Sequence, residues 1–232
     1  MRRIVMKLRE WNDIPEFMQN EKVKEYYNIL RRRRFSLKLK RIFDVVLALI
    51  LLIVLSPVIL IVSICIKLDS NGSVFYRQER VTQYGKIFRI FKFRTMVTDA
   101  DKKGSLVTTE NDIRITKVGK KIRKYRIDEI PQLINILIGE MSFVGTRPEV
   151  RRYVDAYTDE MKATLLLPAG ITSKTSIRYK DEDKMLVNEE NLDNIYLEKV
   201  LPEKMKLNLE ELKNFNIIED FYTILQTMLA VI

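Results

Sequence analysis

The chain has 232 residues, enough for one domain with a real core and an appended anchor, and it carries a formal net charge of +10 with no His and a single Cys. The lone Cys65 excludes an intramolecular disulfide and sits in an apolar run, so the usual nucleophiles, bases and soft-metal ligands are missing. Chemistry falls to carboxylates, hydroxyls and cations, which suit a hard, oxygen-loving metal such as Mg2+ and a phosphate substrate.

The charge is unevenly spread. Basic side chains exceed acidic ones by eight over residues 1–41 and by ten over 67–126, whereas acids exceed bases by seven over 127–232. The basic surplus brackets an apolar run. Nucleic-acid binders are also basic, but they interleave stacking aromatics with the cations of a soluble domain. Cations bordering an apolar run point instead to anionic lipid headgroups, and no nucleic-acid partner is expected.

Residues 1–40 read as a basic N-terminal membrane-surface segment. Its part from 16 to 40 is an exposed, charge-rich helix running through Arg31-Arg32-Arg33-Arg34, with Phe35, Leu37 and Leu39 dipping into the headgroup layer. Residues 41–68 read as a membrane segment. Val45 to Ile66 is 22 residues without a charge, which as a straight helix of ~1.5 Å per residue would just cross a ~30 Å hydrocarbon core. Pro57 removes its own N–H and clashes one turn back, so the segment kinks at Ser56-Pro57. Basic residues at both ends hold both ends on the cytoplasmic side. A re-entrant helix-break-helix is therefore favoured, with a kinked transmembrane helix as the other reading. A run that begins beyond residue 40 with no A-x-A site after it is not a signal peptide.

Residues 69–232 read as a cytoplasmic catalytic domain. Val74–Gln78 and Ile87–Met96 predict a β-hairpin through Gln83-Tyr84-Gly85-Lys86. Alternation in its second strand puts Lys92 and Arg94 on one face, either as a diphosphate grip or as a solvated strand face. Residues 97–113 predict a polar surface loop. Ile115, Val118, Ile122 and Tyr125 recur at helical spacing in a strongly basic helix over 114–125. Pro131 starts a short helix over Gln132–Ile138, with Leu133, Ile136 and Leu137 facing the core and Gly139 at its end.

That helix presents its positive end to Asp128 and Glu129. Two readings stand: the acids cap the helix, or they are a working pair beside clustered cations. Further on, Gly145-Thr146-Arg147-Pro148 is a tight loop whose proline keeps Arg147 extended and suited to a bidentate grip on phosphate. Residues 181–220 read as acidic and helical, and Phe215–Ile232 as an amphipathic helix. Its Phe221, Ile224, Leu225 and Met228 pack on the domain or on the bilayer surface. The fold class expected is α+β and mainly helical, a monotopic membrane protein with a re-entrant helix, a small β-hairpin and surface amphipathic helices.

Several of these segments, in order, resemble a known family. Ser56-Pro57, Phe91-Lys92-Phe93-Arg94-Thr95-Met96, Ile127-Asp128-Glu129-Ile130-Pro131-Gln132-Leu133 and Gly139-Glu140-Met141-Ser142-Phe143-Val144-Gly145-Thr146-Arg147-Pro148 are similar to landmarks of the bacterial sugar transferases, the monotopic phosphoglycosyl transferases. The likeness covers roughly residues 38–228 and suggests the small catalytic form. It implies a re-entrant anchor in the bacterial inner membrane and an active site on the cytoplasmic face. The implied reaction moves a sugar 1-phosphate from a UDP-sugar to polyprenyl (undecaprenyl) phosphate with release of UMP, opening the assembly of a capsule, exopolysaccharide, O-antigen or glycoprotein glycan.

By the same resemblance Asp128 is the nucleophile of a ping-pong cycle, with Glu129 and Asp128 supporting Mg2+ and Lys92, Arg94 and Arg147 binding phosphate. Asp193 and Asp220 are the nearest matches to supporting carboxylates further along the chain. Two positions depart from the pattern. Thr146 stands where the family usually has Pro, and Leu167-Pro168-Ala169-Gly170-Ile171-Thr172 lacks the familiar Arg before the proline, for which Lys174 or Arg178 is the expected substitute. The competing class is a non-catalytic membrane-surface scaffold, which accounts for the charge distribution but not for the ordered motifs. A homo-oligomer stays open.

Overall fold

The computed structural model describes residues 8–100, 112–180 and 192–231. Residues 101–111 of the expected polar loop and 181–191 of the acidic stretch lie outside the described residues.

Helix α1 (Glu21–Arg32) starts at Asn20, whose side chain accepts from the Val23 amide at 2.9 Å. Val23, Tyr26, Tyr27 and Leu30 fall at i, i+3, i+4 and i+7 and are all buried. The exposed helix expected over 16–40 is thus two helices that part at Arg33, and the first is a core element. It packs with Leu8, Ile14 and Met18 against residues 163–166 and the C-terminal half of the chain. Its charges occupy the outer face, and that apolar stripe decides where it lies. Of the three apolar residues expected at the headgroups, Leu37 is buried while Phe35 and Leu39 are exposed.

Helices α2 (Arg34–Val54) and α3 (Ser56–Asp69) meet at a 61° bend. Pro57 cannot donate to the Ile53 carbonyl, and Ser56 Oγ donates to it instead at 2.8 Å. Among the described residues no single helix is long and apolar enough to cross a membrane, but this bent pair passes that test together. Leu49, Ile50, Ile53, Leu60, Ile61 and Ile64 lie exposed along it.

Both legs are bolted to the rest of the chain. Strands β1 (Phe75–Thr82) and β2 (Lys86–Phe93) form the expected antiparallel hairpin, with Phe75 opposite Phe93 and Thr82 opposite Lys86. Helix α4 (Lys117–Lys124) is capped by Thr116, and α5 (Gln132–Ile138) ends at Gly139, whose φ of 83° is the left-handed conformation that closes a helix. Arg41 of α2 donates to the Ile136 and Leu137 carbonyls at the end of α5. Asp44 accepts from Ser142 Oγ and the Phe143 amide. On the other leg, Asp69 accepts from the Val118 amide at the start of α4.

A second sheet was not expected: β3 (Met141–Val144) and β4 (Ala169–Thr172) pair in parallel. Gly145, one residue past β3, and Gly170 within β4 touch backbone to backbone, and a Cβ on Gly170 would lie 2.2 Å from the Gly145 nitrogen. Short helices α6 (Arg151–Val154), α7 (Lys174–Arg178) and α8 (Leu192–Ile195) follow. A π-helical turn over Tyr196–Val200 then leads into α9 (Leu201–Lys213), and α10 (Ile217–Val231) closes the described chain. Pro202 has no N–H for the Glu198 carbonyl, which favours the wider register just before it. Helix α10 lies across α2 and the second sheet, with Ile224 against the core and Phe221, Leu225 and Met228 exposed.

Candidate active site

The turn between α4 and α5 is built on a strained residue. Arg126 takes a left-handed conformation (φ 51°), and the next three residues, Ile127–Glu129, form a single 3-10 turn. The amide of Glu129 donates to the Arg126 carbonyl at 3.2 Å, and Pro131 follows as the N-cap of α5. Because α4 is tied to one leg of the bent pair and α5 to the other, this turn joins two helices that are each held from outside.

The two acids meet different surroundings. Glu129 is buried, and its Oε1 accepts from Lys92 Nζ at 3.0 Å and from an Arg147 guanidinium nitrogen at 2.6 Å. Strand β2 supplies Lys92 and the loop after β3 supplies Arg147, so three separate segments converge on one carboxylate. Burial opposes its ionisation, but the Arg147 and Lys92 charges outweigh that and hold Glu129 well below the usual carboxylate range. Asp128 is less buried and makes no hydrogen bond or ion pair with the described residues. Burial, with the Glu129 charge adding to it, raises its pKa, while Lys92, Arg123 and Arg147 pull the other way. One acid is locked between cations and the other is left with its oxygens uncommitted.

Lys92, Glu129 and Arg147 are thus brought together. Arg94 is not with them. Strand β2 ends at Phe93, and the Arg94 guanidinium turns to the end of α3, where it donates to the Ser70 and Asn71 carbonyls and to Ser70 Oγ at 2.6–3.0 Å. Alternation places side chains only while the strand lasts. Asp193 is held by Arg152 and Tyr153, and the half-buried Asp220 forms an ion pair with the buried Lys40 at 2.6 Å. Lys174 pairs with Glu219 at 2.6 Å, and Arg178 is exposed without an ion pair among the described residues. Leu167, where an arginine was expected, packs against the main core.

Arg123 and Arg126 were not expected at the site; the Arg123 charge acts on Asp128 and the Arg126 charge on Glu129. Their signal was their nearness in sequence, five and two residues before Asp128. Among the described residues no three His, Cys, Asp or Glu side chains cluster as a metal cage. The donor set fits Mg2+ only in its usual open form, with one or two carboxylates and the remaining positions left to water and substrate phosphate.

Comparison with known proteins identifies the family. A family model described as bacterial sugar transferase matches residues 35–232. The chain is 43% identical over 123 residues to the UDP-N-acetylgalactosamine-undecaprenyl-phosphate N-acetylgalactosaminephosphotransferase of Aeromonas hydrophila, covering 53% of this chain and 29% of that protein. It is 41% identical over 139 residues to an uncharacterized sugar transferase, EpsL, of Bacillus subtilis, covering 60% and 68%. With the UDP-glucose:undecaprenyl-phosphate glucose-1-phosphate transferase of Klebsiella pneumoniae it shares 35% over 145 residues, covering 61% and 31%. The chain thus spans under a third of the first and last of these relatives. With most of its length under the family model, the chain belongs to the bacterial sugar transferase family.

Proposed function

We propose that the protein moves a sugar 1-phosphate from a UDP-sugar to undecaprenyl phosphate, the opening step of a polysaccharide assembled on a lipid carrier. The relatives named for this reaction support the class. The observation that carries the mechanism is the division within the pair: Glu129 gathers Lys92 and Arg147, and the Asp128 carboxylate beside them has no partner among the described residues.

In the first half-reaction an Asp128 oxygen attacks the sugar-bearing phosphorus. A carboxyl–phosphate bond forms, the bond to the bridging oxygen breaks, and UMP leaves with its electron pair. In the second, a phosphate oxygen of undecaprenyl phosphate attacks the same phosphorus and expels the Asp128 carboxylate. Lys92 and Arg147, fixed by Glu129, grip the phosphoryl oxygens of the donor diphosphate. Mg2+ held by Asp128 and Glu129 would neutralise the diphosphate. Arg123 and Arg126 add positive potential beside the pair.

The bent α2–α3 pair is read as a re-entrant anchor in the inner membrane, with the catalytic domain on the cytoplasmic face at headgroup level. Its basic flanks suit anionic lipids. A surface scaffold would have no use for a strained turn that leaves one acid unpaired beside clustered cations. Incubating solubilised protein with Mg2+, undecaprenyl phosphate and a panel of UDP-sugars, and following UMP release, tests the reading. Turnover with one or a few donors, abolished in Asp128→Asn, is expected; full activity of that variant removes Asp128 as the nucleophile.

A further inference from the structure

Two residues past Arg147, Glu149 is buried in a polar cluster that the transfer reaction does not use directly. Tyr196 Oη donates to Glu149 Oε1 at 2.6 Å, and Lys204 Nζ donates to Tyr196 Oη at 3.0 Å. Lys204 Nζ and an Arg80 guanidinium nitrogen each lie 3.9 Å from the Glu149 carboxylate. The same Arg80 nitrogen donates to the Pro148 carbonyl at 3.3 Å, and the Glu149 carbonyl accepts from the Val81 amide of β1 at 2.9 Å. Glu149, Tyr196 and Lys204 are each at most 6% exposed.

Ions taken this far out of water add little net stability, while losing one partner is costly. A cluster of this kind fixes one geometry. What it fixes is the segment that carries Arg147. Pro148 limits the preceding backbone, so the guanidinium direction follows the position of the Pro148–Glu149 unit. Tyr196 reaches that unit from the π-helical turn, a register that appears once among the described residues and often marks functional positions.

We propose that Tyr196 is a positioning residue for Arg147, its hydroxyl holding Glu149, which with Arg80 sets the Pro148 backbone and so aims the guanidinium at the donor diphosphate. This rests on Arg147 as a phosphate-binding group. Truncating the hydroxyl loosens the aim without touching the nucleophile, so it acts on donor binding rather than on the chemical step.

A double-mutant cycle of Tyr196→Phe and Arg147→Ala, read as donor KM and kcat, tests it. Tyr196→Phe is expected to raise donor KM about tenfold, with kcat changed less than about twofold. Arg147→Ala raises KM at least as much, and the double variant no further than Arg147→Ala alone. Multiplying effects in the double variant, or an unchanged KM in Tyr196→Phe, overturn the positioning role and leave the Arg147 reading intact. An unchanged KM in Arg147→Ala overturns both. If Tyr196→Phe does not fold, Lys204→Met removes the next donor in the same chain of hydrogen bonds, and the same cycle decides.

Discussion

Asp128 and Glu129 are adjacent, chemically similar and electrostatically opposite, and that opposition can be tested without any substrate. Glu129 has its pKa depressed, so it contributes stability at neutral pH that is lost as pH falls through the depressed value, below the usual carboxylate range. Asp128 has its pKa raised, so its contribution is present in acid and lost as pH rises through the raised value; at neutral pH its charge is a burden on the fold. Glu129→Gln strands Lys92 and Arg147 and should destabilise by about 1–3 kcal/mol, discounted because both cations are partly exposed. Asp128→Asn should raise Tm at pH 7, and its advantage should shrink as the solution is acidified through the raised pKa. Thermal melts of both variants across pH 4–8 check the signs. A drop in Tm for Asp128→Asn would show that this carboxylate is a structural cap, the bland reading of the pair.

Among the elements, α1 separates two accounts of the N-terminal region. Leu30 is fully buried in the main core, whereas Phe35, five residues on, is 79% exposed. Leu30→Ala should therefore cost about 3 kcal/mol in denaturant unfolding, the usual loss for a buried leucine. Phe35→Ala should change stability by less than about 0.5 kcal/mol, as an exposed substitution does, and should weaken binding to anionic vesicles. Equal, small effects on stability would return α1 to the membrane surface. The contrast also shows what a sequence pattern carries. Helix α5 was legible to the residue because Pro131 and Gly139 are local signals that owe nothing to the rest of the chain. The stripe on α1 was equally visible, but a charged amphipathic helix does not say whether its apolar face meets protein or lipid. Sheet β3–β4 has four-residue strands paired across a long separation, too short for alternation to register. At the site, Lys92 and Arg147 were legible from motif order, whereas Arg94 was lost because the strand ends one residue before it.

At the scale of the whole molecule, exposed apolar side chains gather on α2, α3 and α10, and the buried polar side chains of α2 face the rest of the chain. Lys40, Arg41 and Asp44 at the start of α2 are each at most 3% exposed and bonded to α10, α5 and β3 respectively. Arg94 and the Asp69–Val118 contact tie down the end of α3 in the same way. Both ends of the bent pair are thus fastened to one body, and a straight span would have to break one set of these contacts to carry its far end across the bilayer. In a Cys65→Ala background, single cysteines at the exposed positions Lys38 and Asn71 should both react with an impermeant maleimide in inverted inner-membrane vesicles, and neither in intact cells. One site reactive in each preparation would mean a true span and would require the α3 end to part from α4. Straightening the pair with Pro57→Leu should shift the labelling toward that pattern and lower turnover with it, because the turn holding Asp128 is strung between the two legs.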